Sequence, residues 1–165
     1  MYNNIMNLMN SLEARYYADI NDNIIENTEN EYNIILAIDP ITIAMSGLAI
    51  AAGGLLHFEH EQIAAILVDE HYLSMSETGK RFTIAHELGH LVCQLEKFRN
   101  LGYIRNIDDE FEADEYALEQ LGLETTLEGL NEIKNILKEN FVPDVCLQEI
   151  NIRIENILNK SMVTC

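Results

Sequence analysis

The chain has 165 residues, 48% hydrophobic and 23% charged, enough for one packed domain over residues 1–165 and too ordinary for wholesale disorder. Ten Lys and Arg stand against 28 Asp and Glu, a formal net charge of −18. That argues against direct nucleic-acid binding and against docking on an anionic membrane, and it favours a basic partner or a cation.

Residues 4–19 are expected to form an amphipathic helix, with Ile5, Leu8, Met9 and Leu12 at three- and four-residue spacing. The first residues carry no basic stretch ahead of an apolar core, so no signal peptide is expected. Residues 21–31 are polar. Ile34 to Ile38 is a short apolar run that ends on the turn signal Asp39-Pro40. The uncharged stretch Ile41 to Leu56 is shorter than the roughly 20 residues a membrane span needs, and it reads as buried strand and turn. Ile63 to Val68 is a continuous apolar run bounded by charge, which fits a buried strand.

Ser76 to about Glu96 reads as a helix, with Phe82, Ala85, Leu88, Val92 and Leu95 on one face. Asp108 to Leu121 is a second, with acids in its first turn and Gly122 past its end. A third is expected from Thr125 or Thr126, where Thr125-Thr126-Leu127-Glu128 has the form of a capping box. A fourth starts near Pro143-Asp144 and carries Leu147, Ile150, Ile154, Ile157 and Leu158. The expected fold class is α+β: a small sheet of about three strands packed against a helical bundle.

Chemistry concentrates in His86-Glu87-Leu88-Gly89-His90, an H-E-x-x-H pattern. Residues four apart share a helix face, so both imidazoles can reach one Zn2+ at about 2.0–2.1 Å. Glu87 then lies near enough to take a proton from a water on the metal. Gly89 is a poor helix former, and close approach by another backbone would explain it. A catalytic zinc needs a third protein ligand and one open position. Asp108 to Ala117 supplies the acids. Glu110 and Asp114, four apart, suit one carboxylate on the metal and one hydrogen-bonding the far nitrogen of a ligand His, while Glu112 and Glu115 fall toward solvent. Glu110 is the expected ligand.

Arg81-Phe82-Thr83-Ile84-Ala85-His86-Glu87-Leu88-Gly89-His90 resembles the signature of the ImmA/IrrE-type zinc metallopeptidases. Glu110-Phe111-Glu112-Ala113-Asp114-Glu115-Tyr116-Ala117 is similar to that family's second motif, and Ile66-Leu67-Val68-Asp69-Glu70 to the strand before its active-site helix. The family often continues with a Leu-Leu-Met-Pro-like run, where this chain has Leu118-Glu119-Gln120-Leu121-Gly122-Leu123. The resemblance implies His86, His90 and Glu110 on zinc, Glu87 as general base and Asp114 as an outer carboxylate. It also implies a phage or mobile-element setting and cleavage of a helix-turn-helix transcriptional repressor supplied as a separate protein.

Lesser features are not assigned to catalysis. His57 and His60, three apart, point to opposite faces if extended and read as an incidental pair. His71, Tyr72 and Tyr103 could each donate to an oxyanion, but read as structural. Cys93 reads as a small core residue. Three widely spaced cysteines make no disulfide framework and fit a reducing, cytoplasmic setting. The expected function is therefore a cytoplasmic zinc-dependent endopeptidase acting on a protein, with a basic repressor as the favoured partner. The competing reading is a non-catalytic, zinc-stabilised protein-binding module. Glu87 stands against it, because a closed structural site has no use for a base.

Overall fold

The computed structural model describes residues 15–17, 33–38, 54–58, 63–68, 70–98, 106–140 and 142–163. The chain divides into two compact units, Met1–Ser74 and Met75–Cys165.

In the first unit, β1 (Arg15–Tyr17), β2 (Asn33–Ile38), β3 (Gly54–Phe58) and β4 (Ile63–Val68) form one sheet in the order β1-β2-β4-β3. β2 runs parallel to β4, with Asn33 opposite Ile63 and Ile38 opposite Val68. The two outer pairings are antiparallel. β4 is flanked by strands on both sides, and Ile66, Leu67 and Val68 are all buried. That accounts for its unbroken apolar sequence, since a half-exposed strand would alternate. The short helix α1 (Glu70–Ser74) follows, its last turn closed by the Ser74 hydroxyl donating to the His71 carbonyl at 2.8 Å. The expected helix over 4–19 is corrected at Arg15–Tyr17, which pairs with β2. Its apolar helical spacing stops at Leu12, and the aromatic pair Tyr16-Tyr17 suits a pleated edge. The remainder of that segment, residues 41–53, and His60 lie outside the described residues.

The second unit contains α2 (Glu77–Phe98), α3 (Ile107–Leu121), α4 (Leu123–Glu139) and α5 (Asp144–Val163). α2 packs along α3 and α4, and α5 packs on the same two. The expected fold, about three strands packed against the bundle that carries the His86 helix, is corrected here. The unit that carries His86 is a helical bundle without a strand among its described residues. The strands, four in number, belong to the other unit. The reason lies in α2 itself. Every residue from Phe82 to Leu91 is buried, so the middle of α2 has no exposed face. Within its own unit, a helix buried all round over its middle is the centre of a bundle, packed on α3 and α4.

Local chemistry sets the ends. At the start of α2 the Ser76 hydroxyl accepts from the Gly79 amide at 3.0 Å and donates to Glu132 of α4 at 2.6 Å. Asn106 caps α3 in a capping box with Asp109. Gly122, at φ +82°, ends α3 and leads directly into α4. The capping box expected at Thr125 to Glu128 is not used. α4 already starts at Leu123, and the Thr126 hydroxyl donates back to the Gly122 carbonyl at 2.9 Å. Cys93, expected in the core, is exposed.

Candidate metal centre

His86, Glu87 and His90 project from the buried middle of α2, and Glu110 and Asp114 from successive turns of α3. The two helices can come this close because position 89 has no side chain. A Cβ built there would lie 2.8 Å from both the Cα and the carbonyl oxygen of Ala113 and 3.1 Å from the Cβ of Tyr116. That is the backbone approach the sequence anticipated, and it brings Glu110 to the His pair.

The His86 and His90 Nε2 atoms are 3.1 Å apart. One Glu110 oxygen is 3.2 Å from His86 Nε2 and the other is 3.6 Å from His90 Nε2. A tetrahedral ion with ligands at about 2.0–2.1 Å would separate them by roughly 3.3–3.4 Å. The three residues can thus hold a metal ion. The far ring nitrogens strengthen that fit. His86 Nδ1 lies 2.8 Å from Asp114 Oδ1, and His90 Nδ1 lies 2.9 Å from Gln94 Oε1. Asp114 and Gln94 each offer an acceptor there, so these contacts favour the tautomer with the proton on Nδ1 and a lone pair on Nε2. With both rings in that tautomer, the two Nε2 lone pairs would face one cation across 3.1 Å.

The electrostatics agree. Burial and the Arg153 guanidinium press the His86 imidazole toward neutrality, yet the Asp114 charge and hydrogen bonds to Asp114 and Glu110 raise its pKa to about 9. Burial opposes ionisation of Glu110, but the His86 hydrogen bond, with the charges of His86, Arg153 and His90, holds its carboxyl well below the usual range. Burial likewise opposes ionisation of Asp114, and Arg153 overcomes it. The site is a negative pocket that takes up a proton when nothing larger fills it.

Each expected site residue therefore has a definite place. His86, His90 and Glu110 converge, Asp114 meets His86, and Glu87 is buried beside them at 4% exposure. Glu112 and Glu115 point outward and pair with Lys97 and Lys160. His71 lies on α1, and Tyr103 lies outside the described residues. The sequence reading missed Gln94, Arg153 and Asp109. Gln94 has a simple signal, since it is four residues after His90 on the same helix. Its amide nitrogen donates to the Asp109 carbonyl, tying His90 to the first turn of α3. Asp109 itself is buried, caps Asn106 and pairs with Lys97 at 3.0 Å. Arg153 shows as a lone cation in the otherwise apolar row Ile150, Arg153, Ile157 of α5, all three buried.

The family model of the IrrE N-terminal-like domain, a peptidase domain, matches residues 40–124. No curated protein and no solved structure matches the chain.

Proposed function

The chain belongs to the IrrE N-terminal-like peptidase family, and from that membership we propose a zinc-dependent endopeptidase that acts as one domain over residues 1–165. The observation that carries the proposal is the triangle of His86, His90 and Glu110, with edges of 3.1 to 3.6 Å. Zn2+ held there would lower the pKa of a bound water toward about 7 and polarise the scissile carbonyl. Glu87, buried on the same helix, takes the proton of the attacking water and hands it to the leaving amine. Asp114 and Gln94 hold the two imidazoles in the tautomer that presents Nε2. Glu110 would supply the third ligand, and a catalytic zinc keeps a further position for water or substrate.

The substrate we propose is a protein with a basic face, such as a helix-turn-helix repressor. The support is the charge of −18 on this chain together with the family resemblance. Such a substrate is met in the cytoplasm. Among the described residues, no helix is long and apolar enough to cross a membrane.

The test is Glu87→Gln. Zinc content should stay at the native level while hydrolysis falls by about 10²–10⁴-fold, the usual worth of a positioned base. Undiminished turnover would remove Glu87 from its role. Incubating the native chain with a basic helix-turn-helix repressor, with and without chelator, tests the substrate. Fragments that appear only without chelator are expected. An intact repressor held in a stable complex would instead favour a binding module.

A further inference from the structure

Arg153 lies on α5, outside residues 40–124 matched by the family model. It is buried, between Ile150 and Ile157, where the pattern of the helix calls for an apolar side chain. A charge in such a place is costly unless its partners are close and well aligned. Here they are. Nε donates to Asp114 Oδ2 and Nη2 to Asp114 Oδ1, each at 2.7 Å. Nη1 lies 3.3 Å from Glu110 Oε2, and Nη2 lies 3.3 Å from His86 Nδ1. All three nitrogens of the guanidinium are thus engaged with the two acids of α3.

Two of those acceptor atoms are shared with the metal triangle. Asp114 Oδ1 takes both the Arg153 hydrogen bond and the His86 Nδ1 contact. Glu110 Oε2 stands between Arg153 Nη1 and His86 Nε2, at 3.3 and 3.2 Å. We propose that Arg153 is a positioning residue of the metal centre: its fork fixes the Asp114 carboxylate that orients His86 and fixes the Glu110 oxygen nearest His86. The inference rests on His86, His90 and Glu110 being the ligands. A Lys at 153 would keep a positive charge and tie α5 to α3. It has no planar fork, so it could not hold both Asp114 oxygens and Glu110 together.

The experiment compares the full-length native chain with Arg153→Met, Arg153→Lys and Ile157→Ala. Ile157→Ala loosens α5 on its buried face without touching the acids. Zn2+ affinity is read by competition with a chromophoric chelator. Site geometry is read from the visible spectrum of the Co2+-substituted protein, and folding from the melting temperature without metal. Arg153→Met should weaken Zn2+ by about 10–100-fold and alter the Co2+ bands. Arg153→Lys should regain melting temperature but neither affinity nor native bands. Ile157→Ala should lose melting temperature and keep both. If either Arg153 variant binds Zn2+ and Co2+ as the native chain does, Arg153 only ties helices together and the inference is overturned. It is also overturned if Ile157→Ala loses as much affinity as Arg153→Met. A native chain that takes up no Zn2+ would overturn the ligand assignment itself. A tight-binding native chain with indifferent Arg153 variants would overturn only the role of Arg153.

Discussion

Gly89→Ala sets two effects of opposite sign against each other. On an isolated helix the change should stabilise by about 0.8–1 kcal/mol, because Gly is the poorer helix former. In this bundle the added methyl carbon would stand 2.8 Å from the Ala113 Cα and carbonyl oxygen. Those are backbone atoms and cannot rotate aside, so α2 and α3 must move apart by several tenths of an ångström. Overpacking of that kind costs about 1–3 kcal/mol, and the buried surroundings of Leu88, Ala113 and Ala117 place this site toward the upper part of that range. The balance is a destabilisation of about 1–2 kcal/mol, seen as a melting temperature lower by several degrees. Glu110 stands one turn before Ala113 on the same helix, so the shift also stretches its distances to His86 and His90. Urea unfolding of the metal-free chain and Zn2+ titration of the folded chain measure the two consequences. A variant that gained about 1 kcal/mol and bound Zn2+ as before would refute the claim that Gly89 sets the spacing between the helices.

Further tests address other parts of the unit. Gly129→Ala should destabilise by about 1–3 kcal/mol, because a Cβ there would collide with the buried Phe82 side chain, and thermal unfolding reads it. The pH dependence has a definite sign. In the metal-free chain His86 has a pKa of about 9, above its ordinary 6.5. Its contribution to stability is therefore complete below pH 6.5 and fades as pH rises through 9. Zn2+ must displace that proton, so its apparent affinity should rise about tenfold per pH unit toward pH 9 and then level off. Calorimetry in buffers of different ionisation enthalpy should detect the released proton at pH 7. An affinity flat between pH 6.5 and 8.5 would refute the assignment.

How far the sequence could be read depended on the kind of signal. The i, i+4 placement of His86 and His90, and of Glu110 and Asp114, is helix geometry, so the sequence could pair them before any coordinates existed. Gly89 was legible for the same reason, as a helix breaker retained among helix formers. Arg153 was not, because its partners lie 39 and more residues away and only tertiary packing joins them. The layer arrangement failed on a subtler point. The order of strand-like runs followed by helices suggests one layered domain, but periodicity does not show that Thr83, His86, Glu87, His90 and Gln94 are buried along with the apolar positions of α2. With those polar groups buried too, the middle of the helix has no exposed face, and within its unit it packs on α3 and α4. At Thr125 and Thr126 a local capping pattern lost to Gly122, whose positive φ had already turned the chain into α4.

The hydrogen bond from Gln94 to the Asp109 carbonyl has a dynamic consequence. Helix ends unwind first, and Glu110 sits in the opening turn of α3, next to Asp109, which completes the capping box and whose carbonyl holds the Gln94 that contacts His90. Fraying of one turn would swing Glu110 away and break the Gln94 bond to Asp109 that backs the His90 contact. Departure of the ion and melting of that turn would then be coupled, and exchange of the Asp108 and Asp109 amides, which Asn106 caps, should slow when Zn2+ is added.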